Sequence, residues 1–377
     1  MSSGTVRSGT LNRSEDERFL AMALSLGRRG QGQTWPNPAV GCVIVREGRV
    51  VGRGWTQPGG RPHAEVVALA QAGSAARGST AYVSLEPCAH HGKTPPCAEA
   101  LIEAGVARVV APLEDLDPRV EGKGFDRLRA AGIEVSTGML ASEAAKDHAG
   151  FFLRQAHGRP FVTLKLALSL DGRIATATGE SQWITGPEAR RDVHAMRARH
   201  DAVMVGAGTA RIDDPSLTVR GLGVTRQPVR VVVSRRLDLP LMGQLARTAK
   251  DIPVWICHGK DADHALVDAW QGLGAKLLSC EVSGRQLDIA SVLQALGAAG
   301  LTRVFCEGGG ALAATLLGAD LVDELVVMSA GLLLGAEGRP GIGALGIDRL
   351  AEAPRLTLVE SRQVGKDVMT RWKRPDN

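Results

Sequence analysis

Short apolar runs alternate with helical patterns along the whole chain, and the alternation breaks at Gly158-Arg159-Pro160. Continuous or period-2 apolar runs read as strand and 3.6-residue periodicity as helix, so this rhythm predicts sheets covered by helices. In the first half, runs at 40–45 and 50–54 predict a strand pair turning at Glu47-Gly48, followed by a helix over 63–72. Further strands are expected at 81–85, 108–111 and 133–136, with helices over 97–104 and 122–131 between them and over 142–157 after them. Beyond the break, 161–168, 202–205, 229–233, 254–257, 303–306 and 324–328 read as strands separated by helices, with late strands at 355–360 and 368–372. A chain of 377 residues exceeds one ordinary core. Two α/β domains are therefore expected, at 15–157 and 158–377. Ser14 and Glu17 form an S-x-x-E capping box, which places the first helix from about Glu15 and leaves residues 1–14 as a disordered extension.

Composition excludes several function classes. No apolar run approaches the roughly 18 residues of a membrane span. The early apolar stretch at 19–26 follows acidic Glu15, Asp16 and Glu17, where a signal peptide would need basic residues. A cytoplasmic protein is expected. The net charge of +5 is diffuse: residues 1–157 carry 18 Lys/Arg against 16 Asp/Glu, and the remainder 27 against 24. With aromatics at 3%, there is neither a basic block nor a base-stacking platform, which argues against nucleic acid as a partner. A small phosphorylated substrate suits the mild basic balance.

The strongest chemical signal is a set of metal-ligand types. His63-Ala64-Glu65 opens a predicted helix, and Pro87-Cys88 and Pro95-Pro96-Cys97 follow. Catalytic zinc takes three protein ligands and keeps one position for water. His63, Cys88 and Cys97 supply three, for one zinc ion per chain. Glu65, two residues from its neighbouring ligand, is placed to move a proton without coordinating. The competing readings are a structural zinc site or buried thiols. His90 and His91 are rival ligands that read better as loop residues. Cys42, Cys257, Cys280 and Cys306 lie in apolar runs and read as core.

In the second half, Cys306-Glu307-Gly308-Gly309-Gly310 follows a strand and precedes a helical pattern, a turn that lets backbone approach a phosphate. The G-x-G-x-x-G fingerprint is absent after the first strand of this half. Ser234-Arg235-Arg236 follows another strand. A hydroxyl with two cations there suits a ribose 2′-phosphate, favouring NADPH over NADH.

The order H-x-E…P-C…C resembles the zinc nucleobase deaminases, whose usual second element is P-C-x-x-C. Here eight residues separate the cysteines, and Pro36-Asn37-Pro38-Ala39-Val40-Gly41-Cys42-Val43-Ile44-Val45 lies upstream. Both features resemble the deaminase half of the bifunctional riboflavin-biosynthesis deaminase/reductases. Lys165-Leu-Ala-Leu-Ser-Leu-Asp171-Gly172, Gly179-Glu-Ser181-Gln-Trp183-Ile-Thr185, Asp213-Asp214-Pro215, Leu217-Thr218-Val219-Arg220 and the Glu307-Gly-Gly segment resemble its reductase half.

The resemblance implies an N-terminal cytidine-deaminase-like α/β/α domain and a C-terminal dihydrofolate-reductase-like α/β domain. It implies that Asn37 contacts the pyrimidine and Lys93 the phosphorylated substrate. In the reductase, Ala167, Trp183, Thr209, Asp213, Ser234, Gly309, Gly310, Ala311, Leu312, Ala313, Ala314 and Thr315 would line NADPH. Ser181, Arg197, Leu217, Arg220 and Glu307 would hold substrate, with Lys165 near the ribose. The guanidinium forks of Arg197 and Arg220 suit a phosphate. A homo-oligomer through the second domain is also implied. Two positions depart from the family's pattern: Thr56 stands where a histidine is usual, and Val233 where an acidic residue is usual. An alternative function, a nucleic-acid-editing zinc deaminase with an accessory domain, is disfavoured by the diffuse charge and the long cysteine gap.

Overall fold

The computed structural model describes residues 10–92 and 95–375. The chain divides into two compact units, Met1–His157 and Gly158–Asn377.

The first unit runs α1 (Thr10–Gly27), β1 (Gly41–Arg46), β2 (Arg49–Trp55), α2 (Ala64–Ala72), β3 (Thr80–Val83), α3 (Cys97–Glu103), β4 (Arg108–Val110), α4 (Lys123–Ala130), β5 (Glu134–Ser136) and α5 (Ala141–His157). The five strands form one sheet in the order β2-β1-β3-β4-β5. The β2-β1-β3 side is antiparallel and the β3-β4-β5 side parallel. The tight turn between β1 and β2 uses Glu47 and Gly48, both at positive φ (50° and 72°), as a two-residue hairpin requires.

The continuous apolar run of β1 is explained by burial on both faces. Cys42 and Ile44 pack with Ala64, Ala68 and Leu101 on one side, while Val43 and Val45 pack with Phe19, Leu20 and Ala23 on the other. A Cβ at Gly41 would come within 1.9 Å of the Ala23 carbonyl, so this glycine lets α1 lie against the strand.

The start of α1 corrects an expectation. The helix begins at Thr10, so Ser14 and Glu17 lie inside it and Ser14 is not its cap. Once a helix is nucleated, adding residues is cheap, and 10–14 contain no glycine or proline to stop propagation. The helix is pinned by Asp16, which accepts from the Tyr82 hydroxyl at 2.7 Å and from both Nη atoms of Arg108 at 2.9 Å.

The second unit runs β6 (Phe161–Ser169), β7 (Arg173–Ala175), α6 (Pro187–Ala198), β8 (Ala202–Gly206), α7 (Ala207–Asp213), β9 (Val229–Val233), α8 (Gln244–Arg247), β10 (Val254–Gly259), α9 (His264–Gly272) and β11 (Lys276–Cys280). It continues with β12 (Val282–Ser283), β13 (Gln286–Leu287), α10 (Ile289–Ala298), β14 (Arg303–Cys306), α11 (Gly310–Gly318), β15 (Glu324–Ala330), β16 (Arg339–Pro340), β17 (Thr357–Val364) and β18 (Asp367–Lys373). The main sheet has the order β11-β10-β9-β8-β14-β6-β15-β18-β17, parallel up to β15 and closed by the antiparallel β17–β18 hairpin. Short ribbons pair β12 with β13 and β7 with β16.

Two edge strands escaped the sequence pattern. β11 carries Lys276 and Ser279 and is buried fully only at Cys280, so its apolar period is weak. β17 continues past Glu360 through Ser361, Arg362 and Gln363, exposed residues that an edge strand tolerates. Among the described residues, no helix is long and apolar enough to cross a membrane.

His200, at the turn into β8, makes a stability prediction. Its Nδ1 lies 2.7 Å from the Met196 carbonyl, its Nε2 lies 3.0 Å from Thr163 Oγ1, and its ring lies 5.1 Å from that of Phe305. Burial holds the imidazole down to about 3, from an ordinary 6.5. Between those values the unfolded chain binds a proton that the folded one refuses, so stability falls as pH drops through this window. His200→Leu should flatten that loss. Urea midpoints at about pH 7 and about pH 4.5 should lie closer together in the variant than in the parent. An equal gap would refute the assignment.

Candidate zinc centre and reductase cleft

Three chain segments meet at the first site. His63 is the N-cap of α2, Cys97 is the first residue of α3, and Cys88 sits in the loop after β3. His63 Nδ1 lies 3.3 Å from Cys97 Sγ and 3.7 Å from Cys88 Sγ, and all three ligand atoms fall within 4.8 Å of one another. Tetrahedral bonds of about 2.0–2.3 Å separate zinc ligand atoms by about 3.5–3.8 Å, so the donor set fits that ion.

The Cys97 backbone N–H donates to Cys88 Sγ at 3.3 Å. Hydrogen bonds from Cys97 and His63 lower the Cys88 thiol, while that same bond with Cys88 raises Cys97. A lowered thiol favours the thiolate, the form that binds a metal. Glu65, in the first turn of α2, is 3% exposed, and burial raises its carboxyl.

His63, Glu65 and Cys88 open onto a cavity of about 280 Å³. Asn37 lines it, donating from Nδ2 to the Gly60 carbonyl at 2.9 Å and lying 3.5 Å from His63 Nε2. Lys93 lies outside the described residues. Thr56 also lines the cavity, but its hydroxyl is engaged with Val40, accepting from the N–H at 3.1 Å. His91 pairs with Glu99 at 3.3 Å, away from the cluster.

Sequence reasoning missed several wall residues: Arg61, Asp115, Asp117, Arg119 and Arg154. His90, read as a loop residue, lines the wall as well, and its Nδ1 is buried without a hydrogen-bond partner among the described residues. Burial pushes Asp115 up to about 7. No local motif marks these positions, because they reach the cavity from the segments after β2, β3 and β4 and from α5.

The second site is a cleft of about 1470 Å³ in the C-terminal unit. The parallel pairing of β14 with β6 sets Cys306 opposite Leu164, which brings the next residues, Glu307 and Lys165, side by side. Arg197, near the end of α6, donates from Nε to Glu307 Oε1 at 2.5 Å, from Nη2 to Oε2 at 3.1 Å, and from Nη1 to the Thr218 carbonyl at 2.8 Å. Burial lowers the Lys165 ammonium, with Glu307 opposing. Burial pulls Glu307 up, but Arg197 and Lys165 outweigh it and hold the carboxyl below its usual range. A half-buried carboxylate is thus flanked by two cations in the wall of a cleft.

The cleft is lined by Ala167, Trp183, Thr209, Asp213, Gly309, Gly310, Ala311, Leu312, Ala314 and Thr315, and by Ser181, Arg197, Leu217 and Arg220. Trp183 is 65% exposed, which removes core packing as its role, and the Arg190 guanidinium lies 4.6 Å from its ring centre. Gly309 caps α11, whose N-terminus faces the cleft.

Two of the expected lining residues lie elsewhere. Ala313 is buried on the inner face of α11. Ser234 is 1% exposed and bonds Asp238 Oδ1 at 3.2 Å, away from the cleft wall. Arg235 is paired with Asp261, Nη2 to Oδ2 at 2.6 Å. His194, which the motifs did not mark, also lines the cleft and accepts from the Arg220 N–H at 3.3 Å.

Comparison with known proteins accounts for both sites. Residues 13–112 match the cytidine and deoxycytidylate deaminase zinc-binding region, and residues 160–370 match the RibD C-terminal domain. The riboflavin biosynthesis protein RibD of Escherichia coli strain K12 is 44% identical over 366 residues, covering 94% of this chain and 98% of the relative. A solved structure of Acinetobacter baumannii RibD superposes with TM-score 0.86 at 40% identity, covering 97% of this chain and all of the other. A Thermotoga maritima structure, described as a diaminohydroxyphosphoribosylaminopyrimidine deaminase/5-amino-6-(5-phosphoribosylamino)uracil reductase, superposes with TM-score 0.85 at 32% identity and similar coverage. Similarity that spans both units disfavours an editing deaminase with an unrelated accessory domain. The chain belongs to the RibD family of riboflavin biosynthesis, as a deaminase with a zinc-binding domain joined to a reductase.

Proposed function

We propose that the first unit hydrolytically deaminates 2,5-diamino-6-ribosylamino-4(3H)-pyrimidinone 5′-phosphate, and that the second reduces the ribosyl chain of the product to ribityl with NADPH. The observation that carries the reading is the meeting of His63, Cys88 and Cys97 beside a buried Glu65, with a separate Lys165–Glu307–Arg197 cleft. His63, Cys88 and Cys97 hold one zinc ion per chain. When bound, that ion lowers the pKa of a coordinated water to about 7. Glu65 would carry the two protons that the attacking water loses, the first to the ring nitrogen and the second to the departing ammonia. Asn37 orients the pyrimidine, and Lys93 meets the phosphorylated end.

In the second unit the cleft would hold NADPH, whose chemistry when bound is hydride donation to the opened sugar. Trp183, Thr209, Asp213, Ala167 and the α11 segment hold the cofactor. Ser181, Arg197, Leu217, Arg220 and Glu307 hold the substrate. Lys165 orients the ribose hydroxyls or supports protonation. The enzyme works in the cytoplasm as a homo-oligomer.

Arg235 and Arg236 take the cofactor's 2′-phosphate, with Arg235 leaving Asp261 to do so. Arg235→Ala with Arg236→Ala should raise the KM for NADPH about tenfold and leave that for NADH unchanged. An unaltered NADPH KM would remove the pair from cofactor choice.

The reading is tested by mixing zinc-replete protein with the diaminopyrimidinone ribosyl phosphate and NADPH, and assaying ammonia and absorbance loss together. Ammonia release matched by NADPH oxidation is expected. Absence of both would reject the substrate.

A further inference from the structure

The carboxylate of Glu86 belongs to none of the roles above, yet it is 4% exposed and lies two residues before Cys88. Its Oε2 accepts from the backbone N–H of Asp115 at 3.0 Å and of Gly122 at 3.0 Å. Its Oε1 accepts from Gly124 at 2.8 Å and Phe125 at 3.2 Å. Gly122 is the N-cap of α4, and Gly124 and Phe125 lie in its first turn. These are donors that a helix start leaves without partners, and a negative charge is favoured there.

A second, independent feature marks the same contact. A Cβ at Gly124 would lie 2.0 Å from the Pro87 carbonyl and 3.0 Å from Glu86 Oε1. The start of α4 therefore presses directly on the Glu86-Pro87-Cys88 segment, and only glycine allows it. Between the anchored Asp115 and Gly122 runs the loop that supplies Asp115, Asp117, Arg119 and Val120 to the wall of the deaminase cavity.

We propose that Glu86 is a positioning residue for deamination: it fastens the 115–122 wall to the segment that carries Cys88, so that the substrate pocket is built against the zinc centre. Glu86 touches no reacting atom in this scheme. It acts through the wall, so substrate capture and not proton transfer depends on it. The inference rests on the deaminase reading of this cavity. Ammonia release by the parent enzyme in the same assay tests that reading separately.

The experiment uses full-length, zinc-replete protein carrying Glu86→Gln or Gly124→Ala, with the diaminopyrimidinone ribosyl phosphate as substrate. The amide that replaces the Glu86 carboxylate would point a donor at two of the four N–H groups, and a methyl at position 124 would push α4 away from Pro87. Both variants should raise the deaminase KM about tenfold or more, as loss of hydrogen bonds to a charged group implies, with kcat within about twofold. Zinc content by atomic absorption should stay at the parent level. NADPH oxidation on already deaminated substrate should be unchanged, which reports that the chain has folded. If Glu86→Gln fails to accumulate, Gly124→Ala decides alone. An unchanged KM overturns the proposal. So does a loss of zinc in step with activity, which would make Glu86 a support for the metal ligand and not for the substrate wall.

Discussion

Glu65→Gln should lower deaminase turnover by about 10³-fold, in the range that positioned proton transfer contributes. The glutamine keeps the shape of the side chain in a site that is 3% exposed, so packing in the first turn of α2 survives. What it cannot do is accept a proton. Zinc should remain bound at the parent level, because His63, Cys88 and Cys97 are untouched. Reduction of already deaminated substrate should proceed at the parent rate, because Lys165, Glu307 and Arg197 line another cleft in another unit. Ammonia assayed by a coupled dehydrogenase, beside metal analysis, checks all three statements. Ammonia release at the parent rate with zinc present would take Glu65 out of the chemistry.

Lys165→Met is the second large effect, and its sign differs between activity and stability. Methionine matches the length of the lysine stem and suits a half-buried position in the cleft wall. Ribosyl reduction should fall about 10²-fold or more, because the cleft loses a donor beside Glu307 that no neighbour replaces. Arg197 still holds Glu307 by two hydrogen bonds, so the carboxylate is not left alone. Burial already disfavours the charged form of Lys165 and lowers its pKa. Below that lowered value the folded protein carries a charge it hosts at a cost, so removing it should keep or raise the melting temperature. Calorimetry at neutral pH beside NADPH turnover checks the pair of outcomes. A melting temperature that drops with activity would make Lys165 a structural cation.

Much of this was legible in sequence because it is local. The β1 run, the turn at Glu47-Gly48, the break after His157 and the helix starts at His63 and Cys97 each depend on neighbours a few residues away. Periodicity, glycine and proline report such neighbours directly. The candidate metal ligands were legible for a different reason: ligand chemistry restricts residue type so strongly that one histidine, two cysteines and a nearby glutamate stand out. Edge strands β11 and β17 were illegible or truncated, since a strand with solvent on one side and no outer neighbour needs little apolar pattern. The start of α1 was missed because a cap motif is a weak stop when nothing before it breaks a helix.

The chain's order of residues by itself determined two α/β units, three side chains of metal-ligand type with a glutamate beside them, and the glycine turn that opens α11. Tertiary structure alone decided which side chains face the cavities. It brought His90, Asp115 and Arg119 to the deaminase wall from separate loops, turned Ala313 and Ser234 away from the reductase cleft, and set Glu307 beside Lys165 across adjacent strands. The physical reason is range. Secondary structure and ligand type are set by local sterics and by the chemistry of single residues, whereas facing and proximity depend on register and loop closure between segments far apart in the chain.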